Sequence, residues 1–333
     1  MTTQLDFTVG LAKETTYGTA ATVSRFFETE AKAKYDVQTI KGKGLRPTKG
    51  VARTSRHSIS RFEGSAEIEL DAPTRGLGYL LNALMGAQTT TLVAGALYQQ
   101  VHTLSTTDPV PSYTMQEVLP VIGGLNAYPH TFTGCVFDTL DLAVKEGEYV
   151  SAKFGLTMRQ LSTLVAAAAA SYPTDDTLFT FVQGAIIIGG TLTPPTNTAM
   201  ATLSGTAAVN ITGLDLSLKR NLDKGGWNLG GAGLRSRAPQ LGRPEITGKL
   251  TAEYIDNTLR DAYLSQTALP VLLTFTSGVS VLQIVLPAVR LGGEVPTSNG
   301  GDPITQEIPF EAFDDGSAAQ PIWIVYRSTD TAP

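Results

Sequence analysis

From Phe62 the chain alternates: Phe62, Gly64, Ala66, Ile68 and Leu70 share one parity, while Ser65, Glu67 and Glu69 take the other. A period of two with one polar side is the pattern of a half-buried strand. Immediately afterwards Leu77, Leu80, Leu81 and Leu84 recur at i, i+3, i+4 and i+7, which predicts an amphipathic helix. The same alternation marks "HSISRFEGSAEIEL", "DTLDLAVKEGEYVSAKFGLTM", "NITGLDLSLKRN" and "ITQEIPFEAF". Sustained helical spacing is rare and no strand–helix–strand rhythm of a parallel sheet occurs. The pattern therefore predicts a mainly β, mostly antiparallel sandwich or barrel architecture. The 33 glycines and 18 prolines supply the many turns such a fold needs.

The strand-then-helix device occurs twice. A shift of 184 residues (Phe62 to Ile246) lays Gly64, Ala66, Ile68 and Leu70 on Gly248, Leu250, Ala252 and Tyr254, and Thr74, Tyr79 and Leu80 on Thr258, Tyr263 and Leu264. Upstream, "GKGLRPTKG" from Gly42 resembles "GAGLRSRAP" from Gly231. With 333 residues, about twice an ordinary domain, the chain divides into residues 1–170 and 171–333, each a β-sandwich or barrel with one flanking helix. The cut falls in "STLVAAAAASYPTDD", where patterning lapses and Pro173 stops any helix. Two unrelated β domains with similar half-buried strands are the alternative. The first half carries an insert, Met85 to Ser112, that the second lacks; long irregular connections of this kind are usually functional.

Composition narrows the function. No apolar run approaches the roughly 20 residues of a membrane span. The first residues have neither the charge nor the apolar stretch of a secretion signal, so folding in cytoplasm is expected. Charged residues make up 17% of the chain, well under the usual share, which points to a surface covered by partners. Cys135, alone in an apolar setting, reads as a buried hydrophobe. His57, His102 and His130 are isolated and read as loop or surface histidines; no metal-ligand spacing, phosphate loop or nucleophile elbow is present. No enzyme, cofactor or metal is expected.

The segments "VGLAKETTYGT", "GLRPTKG", "EGSAEIEL", "GLGYLLNALMG" and "GCVFDTLDLAVKEGEYVSAKFGLT", in this order, resemble the major tail tube proteins of long-tailed, siphovirus-like bacteriophages. The resemblance covers most of the first half and extends more loosely to the second. It implies two tandem tail-tube-like domains, a structural virion protein of the tail, and rings whose sheets join around a lumen. Stacked rings would form a conduit for genome DNA during ejection, without specific DNA binding. It further implies assembly in the host cytoplasm and contact with tape measure, tail-tip and terminator proteins. A chain holding two units would close a pseudo-hexameric ring with three copies; a hexamer with one half outside the wall is the runner-up. A β-rich binding or adhesin module is the alternative function, though it would want exposed aromatics and only Trp227 and Trp323 are available.

Lys41, Lys43, Arg46, Lys49, Arg53, Arg56 and Arg61 lie in 21 residues without an acid. The run has no aromatic residues interleaved for base stacking, and phosphate affinity would hinder a passing genome. These residues are therefore expected to make contacts between subunits or rings. The Met85 to Ser112 insert is expected to bridge rings beside them.

Overall fold

The computed structural model describes residues 5–332 except 45, 48–49, 122–126, 206, 209 and 299. The chain is mainly β, as its alternation predicts. The strands of the first half are β1 (Thr8–Lys13), β2 (Arg25–Phe27), β3 (Glu30–Lys41), β4 (His57–Asp71), β5 (Gly86–Ala94), β6 (Leu97–Leu104), β7 (Tyr113–Pro120), β8 (Ala127–Lys145), β9 (Ser151–Met158) and β10 (Gln160–Ser162). Then follow β11 (Gly184–Ile188), β12 (Leu192–Thr193), β13 (Thr202–Leu203), β14 (Ile211–Lys219), β15 (Glu245–Glu253), β16 (Leu269–Ser277), β17 (Ser280–Leu291), β18 (Thr305–Ala312) and β19 (Trp323–Ser328). Helix α1 (Leu77–Met85) follows β4, and α2 (Thr258–Ser265) follows β15.

Two antiparallel ladders run in the same order. The first is β1–β7–β8–β9–β4–β3 and the second is β11–β16–β17–β18–β15–β14. The glycines matched by the 184-residue shift have a common physical reason. A Cβ at Gly64 would lie 2.9 Å from Tyr35, and one at Gly248 would lie 2.3 Å from Phe310. In each half an aromatic ring from the adjacent strand lies across the glycine, and any larger residue would displace it.

The ladders join into one sheet. The 19-residue β8 pairs through its first half with β7, while its second half lies between β9 and β14. Leu140, Leu142 and Val144 of β8 and Leu214, Leu216 and Leu218 of β14 are all buried in one continuous core. Each such side chain contributes on the order of 2 kcal/mol when fully buried.

Two expectations change. The insert is not a free loop: β5 and β6 form a hairpin, and β6 also pairs with β19, which in turn pairs with β17. Gln99, Gln100 and His102 on β6 are fully buried, so His102 is neither a loop nor a surface residue. The segment has polar residues at both parities, so its burial, imposed by a strand more than 200 residues away, leaves no trace in its own pattern. The helices also differ. Leu80 is fully buried in α1, whereas Leu264, its match by sequence, is 61% exposed in α2. Helix α1 packs against β5, β6 and β8, while α2 rests chiefly on β17 and, among the described residues, no hairpin like β5–β6 covers it.

Candidate inter-subunit surfaces

Strands β3 and β4 form a hairpin from Glu30 opposite Glu69 to Lys41 opposite His57. Near its base one face packs inward on Ala66 and Ile68. Beyond Phe62 both faces are open: Val37, Ile40 and Ile59 are 49%, 58% and 56% exposed. A two-stranded ribbon without a buried face has little to stabilise it alone. Its exposed apolar residues make it a candidate contact arm.

The arm carries the basic run. Lys41 ends β3, Lys43 and Arg46 lie in the connection, and Arg53 and Arg56 flank and close a single 3₁₀ turn at Thr54–Arg56. None of these five makes an ion pair among the described residues. Lys49 lies outside the described residues. Arg61 belongs to the base instead: its guanidinium is 3.0 Å from Glu63 and 4.9 Å from the centre of the Trp227 ring, where Arg235 also stacks at 4.3 Å. Trp227 donates its indole N–H to the Phe62 carbonyl at 3.3 Å, and Phe62 N–H donates to Gly233 O at 2.8 Å. "GAGLRSRAP" therefore does not repeat the arm that "GKGLRPTKG" caps; it folds back and clamps the arm's base.

Seven strands, β3–β4–β9–β8–β14–β15–β18, make one continuous ladder across both halves. By register its wet face carries Asp36, Glu63, Glu67, Glu69, Asp71, Asp141, Asp215, Glu245, Glu253, Glu307 and Glu311, eleven acids against six lysines (Lys32, Lys34, Lys145, Lys153, Lys219 and Lys249) and Arg61. Lys153 pairs with Glu67 at 2.7 Å and Lys249 with Glu307 at 3.0 Å. Ser217 donates to Asp141 at 2.6 Å across the β8–β14 joint.

The joint has a polar lock that the sequence did not reveal. Asp138 is the extra residue of a bulge in β8. Its backbone carbonyl accepts from Arg220 N–H at 2.8 Å, and its carboxylate accepts from Leu222 N–H at 3.1 Å and pairs with Lys224 at 2.6 Å. Arg220, only 1% exposed, donates to the Leu84 carbonyl at the end of α1 (2.7 Å) and to Ser105 O (3.3 Å). Burial depresses its pKa, partly offset by Asp138 and Asp108. Cations are favoured at a helix carboxyl end, where carbonyls lack partners.

Other ionisable groups serve the fold. Glu14 accepts from Ser112 Oγ, Thr114 Oγ1, Gly18 N and Gly134 N at 2.7–3.0 Å. Cys135 is buried, and burial holds its thiol well above the usual range. His57 begins β4 on the surface, and His130 is half-buried in β8. Among the described residues no group of His, Cys, Asp and Glu could hold a metal ion, and no helix is long and apolar enough to cross a membrane.

Exposed edges, an unpaired basic arm and sparse charge are the features of a chain built to meet copies of itself. The family model for the phage tail tube protein matches residues 6–312. The chain belongs to the phage tail tube family. A comparison with curated proteins finds no match. Membership makes this tail tube chain a structural component of the virion tail that self-assembles into the tube. The sequence resemblance to tail tube proteins is thereby borne out.

Proposed function

We infer that the chain supplies two units of tube wall, residues 1–170 and 171–333, and that three copies close one ring. The observation that carries this reading is the identical strand order of the two ladders and their edge-to-edge junction through β8 and β14. A ring is the repetition of such a junction until it closes. Rings stack into a conduit, with the wet face of the seven-stranded ladder turned toward the lumen. Excess acid on that face repels phosphates, so genome DNA slides through during ejection without specific binding. The basic arm, with Lys41, Lys43, Arg46, Lys49, Arg53 and Arg56 near its tip, reaches a neighbouring ring. Acidic partners there include Asp314 and Asp315. Tape measure, tail-tip and terminator proteins meet the column inside and at its ends, and assembly takes place in the host cytoplasm of a long-tailed phage. No catalytic step is assigned to any residue.

Negative-stain microscopy and mass measurement of the purified chain test this. Rings or tubes whose unit mass is three times 35.2 kDa are expected. A unit of six chains would replace three-chain closure, and monomers under all conditions would return the chain to the binding-module reading.

A further inference from the structure

The two ends of the seven-stranded ladder are unequal to its middle in one telling way. The register of each ladder makes Ala33, Tyr35 and Val37 of β3 the counterparts of Leu214, Leu216 and Leu218 of β14. The β14 leucines are 6%, 3% and 1% exposed, because β8 covers their strand's outer edge. Ala33 and Tyr35 are only half-buried and Val37 is 49% exposed. Among the described residues nothing pairs with the outer edge of β3.

The opposite end lacks the matching piece. In the first half, β8 from Thr139 to Ala143 runs along β9 from Gly155 to Ser151 and then offers its other edge to β14. In the second half, β17 reaches β18 only at Phe310, Glu311 and Ala312. Past Gly292, whose N–H still donates to Pro309 O at 2.7 Å, the chain swings away from β18. It leaves an open groove of about 400 Å³ between Gly293–Ser298 and Ile304–Glu307. Thr305 to Glu307 carry no strand on that side among the described residues.

We propose that Glu294–Ser298 closes onto β18, as Thr139–Ala143 lies on β9, and takes β3 of a second copy of this chain along its outer edge, as Thr139–Lys145 takes β14. The inference rests on the ring reading above and gives its seam. An open edge of backbone donors and acceptors is completed by another strand more readily than by any other partner. The half-buried stripe of Ala33, Tyr35 and Val37 then gains the cover that β8 gives β14. Carrying the β8–β14 register across puts Lys34 of one copy beside Ser298 of the next, since its counterpart Asp215 faces Ala143.

The test uses the full chain carrying Lys34→Cys and Ser298→Cys, both exposed sites, assembled and treated with a short bis-maleimide; buried Cys135 stays silent. A denaturing gel is expected to show covalent dimer and trimer and nothing larger, because the third link closes the ring. The control pair Asp141→Cys with Ser217→Cys spans the in-chain joint and should run as monomer only. A ladder climbing to six would keep the seam and replace three-chain closure. Rings visible by microscopy whose chains stay monomeric on the gel would overturn the seam and leave the ring standing. Absence of rings altogether would overturn the ring reading and this seam with it.

Discussion

Arg220 shows how one residue can hold two halves together. Its guanidinium satisfies carbonyls at Leu84 and Ser105 while its backbone is fixed by the bulge at Asp138. Truncation to alanine would leave those carbonyls bare in the core and open a cavity, costing about 3 kcal/mol. Urea denaturation of Arg220→Ala should show that loss, with the transition made shallower or split in two if the halves begin to unfold separately. Glu117 makes a second residue-scale prediction. It lies on β7 between Val9 and His130, 5% exposed, and burial pushes its carboxyl from 4.5 to about 7. The acid is neutral in the fold below that value but ionises near 4.5 when unfolded. Its contribution is thus complete below about pH 4.5 and is lost as pH rises through 7. Glu117→Gln, which cannot ionise, should equal the wild type at pH 4 and exceed it by up to about 3 kcal/mol at pH 8. Equal stability of the two proteins at both pH values would contradict this.

At the scale of elements, the β3–β4 arm separates folding from assembly. Its outer part buries nothing within the chain, and the clamp of Trp227 and Gly233 holds only its base. Replacing residues 42–56 with a two-residue Asn-Gly turn should leave the thermal midpoint unchanged while abolishing ring stacking in sedimentation assays. Loss of the thermal transition itself would show that the arm is part of the fold. The sequence disclosed this element well, because a run of cations without acids is visible wherever the fold puts it. Strands such as β4, β9 and β18 were legible for a related reason: one face meets the core and the other water, so parity records the environment. Helix α1 was legible from its leucine stripe. Helix α2, matched to it through Tyr263 and Leu264, has a single buried residue, Ala262. The hairpin of β5 and β6 was illegible because its burial comes from β19, and the β8–β14 joint because it pairs strands separated by the whole boundary segment. Contacts made at long range leave the local pattern unchanged, and Arg220 and Asp138 look like ordinary ends of strands.

For the whole molecule, the two ladders share an order but not a finish. The first has the arm, the insert hairpin and a well-buried helix; the second has a folded-back loop, an exposed helix and an unfilled groove beside β18. Six such units in a ring would present the arm at every second position only. The strand β19 adds to this inequality, because it ties β17 of the second half to β6 of the first. Within a chain the two halves are therefore sewn twice, through β8–β14 and through β6–β19, whereas the seam proposed between chains supplies the first stitch alone. Pulled along its circumference, the proposed three-chain hoop would have three weak lines and three strong ones. It would split into thirds rather than sixths, and its stiffness would follow a threefold rather than a sixfold pattern.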